Sequence, residues 1–218
     1  FTTLVGHSSP EAARQVANAH TFFNIGIAVL FLPFTGPFTR LVTALLPQSL
    51  APERFGPKYL DPIVLASPTL ALVQATRETL RTADIVQEML VKSIEVFDND
   101  SVSTLEGIQE MDDDVDILDR EVKLFIIKLS KESLSGEQAR REQEIMLFSD
   151  NLENIGDVID KNLMELAKKK IKGGLKFSKE GMEEIRALHK KVIENYQMGI
   201  AAFTSSDHEL ARRLITHK

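Results

Sequence analysis

Between residues 150 and 160 the sequence sets four acids, Asp150, Glu153, Asp157 and Asp160, at spacings of three, four and three. Read as a helix, this spacing stacks the carboxylates along one face. Beside them Ile145, Phe148, Leu152, Ile155, Ile159, Leu163 and Leu166 form an apolar stripe, so the acids flank a buried seam. Such a ladder needs a counter-charge. It also needs other helices to cover the stripe, which points to a helical bundle.

The segments around it carry the same period. Ser67-Pro68 opens a helix with Leu72, Thr76, Leu80, Ala83, Val86, Leu90, Ile94 and Phe97 on one side, and Asp98-Asn99-Asp100 closes it. Ser103-Thr104-Leu105-Glu106 reads as a capping box for a second helix, and Ser135-Gly136-Glu137-Gln138 as the box of the third, which ends near Gly173-Gly174. Ser178 caps a fourth helix, and Ser206-Asp207-His208-Glu209 opens a fifth. No apolar alternation of period two is long enough for a strand. The expected class is all-α, a membrane helix segment followed by an antiparallel bundle.

The amino-terminal part has a different character. Ser8-Ser9-Pro10-Glu11 reads as a helix start, and from Val16 the chain turns apolar through Phe34, resuming at Leu41 to Leu46 with Arg40 as its one charge. The segment through Leu46 is long enough for the roughly 20 residues a bilayer asks for. Pro33, Gly36 and Pro37 predict a kink or break within it. A buried core helix is the alternative. His20 and Asn24, four apart, share one face. Inside a membrane such a pair marks function or a helix-to-helix hydrogen bond.

Five of the eight prolines, Pro47, Pro52, Pro57, Pro62 and Pro68, divide the chain. They predict a semi-rigid, non-helical connector. The expected organisation is therefore residues 1–46 as membrane domain, 47–68 as linker and 69–218 as bundle. Both ends of the chain look cut, and the bundle is expected to be incomplete.

Composition removes several functions. A net charge of −6 argues against a nucleic-acid surface. With Cys 0 there is no disulfide and no thiolate site, so a metal must take oxygen or imidazole. No phosphate-binding loop, dinucleotide fingerprint or positioned nucleophile is present, so the chain is not read as an enzyme.

The second helix mirrors the third. Asp112 and Asp116 lie four apart, and Asp112 falls on the apolar stripe between Ile108 and Val115. A buried carboxylate must be protonated, salt-bridged or metal-bound. Two neighbouring helices offering paired carboxylates can hold a hard cation, which favours iron, manganese, magnesium or calcium over zinc. The competing reading is a solvated face, since Arg120, Lys123 and Lys161 stand four residues after Asp116, Asp119 and Asp157. Lys168, Lys169, Lys170 and Lys172 complement the negative end of the third helix or meet anionic lipid.

A family resemblance joins these pieces. Leu152-Glu153-Asn154-Ile155-Gly156-Asp157 with Asp160-Lys161, preceded by the Asp112–Asp116 helix, resembles the Leu-Glu-Arg-Ile-Gly-Asp signature of PhoU, the phosphate-uptake regulator. Ala19-His20-Thr21-Phe22-Phe23-Asn24, Phe31-Leu32-Pro33-Phe34 and Tyr59-Leu60-Asp61-Pro62 resemble the end of the membrane domain of bacterial sodium/phosphate cotransporters, which carry a PhoU-like domain. The resemblance implies sodium-coupled phosphate import by the intact protein, in the inner membrane, with a regulatory bundle in the cytoplasm. Its partners would be inorganic phosphate, sodium and membrane lipid, with homo-oligomerisation open. It also implies metal on Asp112, Asp116, Glu153 and Asp157, from iron, manganese or magnesium. Asn154 departs from the family's Arg. The alternative is a soluble PhoU-type adaptor acting through protein partners.

Overall fold

The computed structural model describes residues 12–38 and 55–216. The chain divides into two compact units, Phe1–Arg54 and Phe55–Lys218. In the first, α1 (Ala12–Phe31) runs into a 3-10 turn at Leu32–Phe34 and stays helical to Phe38. Pro33 takes the first turn of that 3-10 segment, where its missing N–H costs nothing. The expected break is thus a local tightening. The stretch Arg14–Phe38 is long and apolar enough to cross a membrane by length and composition, and none of its most apolar window is buried. The helix start expected at Ser8–Glu11 and the apolar residues Leu41–Leu46 lie outside the described residues.

The second unit is built from α2 (Pro68–Asn99), α3 (Val102–Leu129), α4 (Gly136–Asp157), a π-helical segment (Val158–Met164), α5 (Glu165–Gly173), α6 (Lys179–Ser205) and α7 (His208–Thr216). Among the described residues there is no strand. The two residues between α2 and α3 force an antiparallel hairpin, and α4 packs on both. One core layer gathers Val86, Met89, Ile108, Val115, Leu152 and Ile159, and a second gathers Leu72, Val122, Phe125, Ile126 and Ile145. α6 lies on α2, where the Tyr196 hydroxyl donates to the Ala83 carbonyl at 2.7 Å. Phe203 at the end of α6 stacks on Phe148 of α4, centroids 4.0 Å apart.

The helix ends follow sequence chemistry closely. Ser135 and Gln138 close a reciprocal capping box, Ser178 caps α6 by accepting from Gly181 N–H, and Asp207 accepts from Glu209 and Leu210 N–H. Gly174 ends α5 at φ +59°, in the left-handed region where a side chain would be strained. One cap differs from expectation. Ser101 caps α3, with its Oγ accepting from Thr104 N–H, and Ser103 already lies inside the helix.

The proline-rich connector also differs in its second half. From Phe55 onward it is fastened to α2: the fully buried Glu78 accepts from the backbone N–H groups of Lys58 (2.8 Å) and Tyr59 (2.7 Å). Arg81 pairs with Glu78 at 2.7 Å and donates to the Gly56 carbonyl at 2.8 Å. Residues Pro62–Ala66 form a 3-10 turn, and Leu60, Val64 and Leu65 pack on the second core layer. This part of the expected linker therefore belongs to the bundle. Its prolines shape a strap, and one carboxylate oxygen, Glu78 Oε2, accepts from both amides that proline geometry leaves without helical partners.

Candidate metal centre

α3 and α4 bring their acidic faces together because the apolar stripes beside those faces bury against each other. Of the four residues expected to act together, three converge. One carboxylate oxygen each of Asp116, Glu153 and Asp157 lies within 4.8 Å of the others. Asp112 stands apart from this trio. One turn before Asp116 on α3, it is buried to 6% exposure and packed against Gly156. A Cβ on Gly156 would come within 2.9 Å of Asp112 Oδ1, so the glycine of Ile155-Gly156-Asp157 makes the space that the carboxylate fills.

Asp112 Oδ1 is buried and has no hydrogen-bond partner among the described residues. Burial, with the charges of Asp160, Asp116 and Asp157 added to it, pushes its carboxyl up to about 6, against which Lys161 pulls weakly. Asp116 is raised by burial, with Lys161 opposing and Asp157 adding to it. Glu153 is raised by burial and then by Asp157, Asp119 and Asp116. These groups share too much negative charge. Asp157 pairs with Lys161, and Asp160, on the π segment, accepts from Gln109 Nε2 at 2.9 Å. Asp116 and Glu153 make no ion pair among the described residues. The Arg120 that sequence spacing offered to Asp116 turns to Glu121 at 3.7 Å.

A second acidic cluster, farther along the same two helices, is complete in itself. Lys123 bridges Asp119 (2.6 Å) on its own helix and Asp150 (2.5 Å) on α4. Ser149 Oγ donates to Asp119 Oδ1 at 2.8 Å. Burial lowers the pKa of Lys123, but hydrogen bonds to Asp119 and Asp150 outweigh it and hold the ammonium above its usual range. Asp150, the first rung of the acidic ladder, is thereby spoken for.

The donors of the trio are all hard oxygens, and a buried orphan carboxylate oxygen stands beside them. That combination fits a hard divalent cation. Sequence reasoning missed the π segment, Gln109 and Ser149. π turns concentrate at functional sites. In the other unit, Asn24 Nδ2 and His20 Nδ1 are 3.0 Å apart, so the polar pair is satisfied by itself.

Residues 79–165 match the PhoU domain, a stretch that contains both acidic helices and the π segment. The chain therefore carries a PhoU domain in its helical bundle. It is also homologous to proteins named "Putative inorganic phosphate export protein YjbB": 32% identical over 213 residues, or 96% of the chain, to that of Escherichia coli (strain K12), and 32% identical over 217 residues, or 98% of the chain, to that of Salmonella typhimurium (strain LT2). The chain spans 39% of the length of these curated relatives. No solved structure matches it.

Proposed function

We propose that the chain is part of a sodium-dependent phosphate transporter whose PhoU bundle regulates it from the cytoplasmic side. The observation that carries this reading is a conjunction: one chain joins an unburied apolar helix, Arg14–Phe38, to a PhoU domain. A soluble adaptor has no use for that helix. Sodium rests on the His20–Asn24 segment's resemblance to sodium/phosphate cotransporters, and the relatives' name speaks of export, so direction is part of the test. The full-length protein reconstituted in vesicles should move radiolabelled phosphate, with a rate that follows an imposed sodium gradient in either orientation. Phosphate flux indifferent to sodium removes the coupling ion. A chain that stays dissolved without detergent or lipid favours the adaptor reading.

Within the bundle, Asp116, Glu153 and Asp157 are the residues that would hold a cation of the iron, manganese or magnesium type, with Asp112 behind them. Bound there, the cation supplies the positive charge that this face lacks. Asp112→Asn combined with Asp157→Asn should lower the metal retained through anaerobic purification. Equal, substoichiometric metal in both proteins by elemental analysis would sink the proposal.

A further inference from the structure

The turn from α5 into α6 holds six lysines and no acid between Leu166 and Lys179, in a chain of net charge −6. Two of them have structural partners. Lys168 pairs with Glu165 at 2.8 Å, and the buried Lys170 pairs with Asp100 at 2.5 Å beneath the Phe177 ring. Lys169, Lys172, Lys176 and Lys179 are exposed and form no ion pair among the described residues.

Helix electrostatics explain only part of this set. Lys170 and Lys172 sit in the last turn of α5, where cations are favourable. Lys176 lies past that helix, and Lys179 opens α6, where the dipole disfavours a positive charge. The carbonyls of Lys170 and Ile171 are in any case capped by the N–H groups of Leu175 and Gly174. Among these lysines the turn exposes two large apolar side chains, Leu175 at 62% and Phe177 at 46%. An open cavity of about 600 Å³ adjoins them, walled by Phe97, Phe177, Lys176, Lys179 and Arg186. Its acids Asp98 and Asp100 are taken by Arg186 (2.7 Å) and Lys170, leaving Glu183 on the wall and Glu180 in the first turn of α6 as the opposing charges.

We infer that this turn docks on an anionic bilayer surface, with Leu175 and Phe177 entering the boundary below the headgroups and Lys169, Lys172, Lys176 and Lys179 meeting lipid phosphates. Basic and large apolar side chains side by side are the composition such a boundary selects. A dissolved phosphate would leave the two apolar groups without a purpose. The inference rests on the reading of Arg14–Phe38 as a membrane helix, because a helix inserted in the bilayer keeps the bundle at high local concentration beside lipid.

The chain has no cysteine, so Leu175→Cys gives one unique site for a polarity-sensitive fluorophore on the full chain. In vesicles of phosphatidylcholine with phosphatidylglycerol the label should report an apolar surrounding, and in phosphatidylcholine alone it should report water. The response should fade in about 1 M salt, where the Debye length falls to about 3 Å. Each of Lys172→Gln, Lys176→Gln and Lys179→Gln should lower the ratio of docked to undocked bundle roughly fivefold. Equal responses in neutral and anionic vesicles, or none in anionic ones, overturn docking. So does a response in lipid-free micelles on adding inorganic phosphate or an acidic peptide, which would assign the lysines to a soluble anion. A chain that fails to float with any vesicle overturns the membrane reading and docking together, whereas one that floats with its label in water overturns docking alone.

Discussion

Asp119, Ser149, Asp150 and Lys123 occupy the same helix pair as Asp112, Asp116, Glu153 and Asp157, and on α3 each cluster is built on two residues four apart. In the first, one ammonium reaches two carboxylates on different helices, and a hydroxyl takes a remaining lone pair. In the second, Lys161 stays on Asp157, and among the described residues a buried carboxylate oxygen is left without a donor. Spacing alone does not distinguish a structural acidic cluster from a binding one. The placement of counter-charge does.

The comparison breaks most severely at Lys123. Lys123→Met strands the buried Asp119 together with Asp150, and should cost about 3 kcal/mol in urea unfolding. Asp119→Asn in the same background should recover much of that loss.

Asp112→Asn should act in the opposite direction. A carboxyl raised to about 6 in the fold but near 3.9 when unfolded is neutral in both states below about pH 4. Between about pH 4 and 6 the unfolded chain gives up this proton while the folded chain keeps it, so stability falls across that window by up to about 3 kcal/mol and levels off above it. Removing the charge should flatten the pH profile of the metal-free protein and raise its stability at pH 7 by the same amount. With a divalent cation added, the wild type should gain more than the variant. A variant no more stable at pH 7 than the wild type would mean that Asp112 already has a partner.

Gly156→Ala is a finer probe. Its methyl group meets Asp112 Oδ1, and the net cost should be about 1 kcal/mol. In an Asp112→Ala background the same change should become stabilising by about 1 kcal/mol, the ordinary helix preference for alanine. A cycle without this change of sign would show that the two residues do not compete for one space.

Lys161→Met should have the smallest effect on folding, with no measurable change in the urea midpoint, since the ammonium is exposed. It should tighten divalent-cation binding to the trio, measured by titration calorimetry. Unchanged affinity would separate Lys161 from the site.

The sequence made the bundle legible because its caps and stripes are local. Ser135, Ser178 and Asp207 act through groups two or three residues away, and Gly174 satisfies a backbone demand no neighbour alters. Even the discrepancy between Ser103 and the observed cap Ser101 stays within two residues of one helix start. Asp112 was legible as an anomaly on an apolar stripe, although its separation from Asp116, Glu153 and Asp157 was not. That separation depends on Gly156 across the helix interface. The strap at Phe55–Ala66 was hidden for a similar reason: proline content describes what a backbone cannot do locally, whereas Glu78 and Arg81 come from 19 to 25 residues farther along. Lys123 was expected to pair along its own helix, and its second partner required α4 to arrive.

The π segment ties the two charged regions of the bundle by phase. Seven residues, Val158–Met164, carry the chain from the acidic face of α4 into α5. If these seven residues relaxed to an α-helix with none removed, everything downstream would turn by about 100° about the helix axis, because a π turn takes up about one residue more than an α turn. Ala167 and Lys170 would rotate out of their buried positions, and Lys170 would leave Asp100. The register that sets Asp157 and Asp160 toward α3 is thus the register that aims the lysine turn, so losing the π turn at constant length would put the acidic centre and the basic turn out of step.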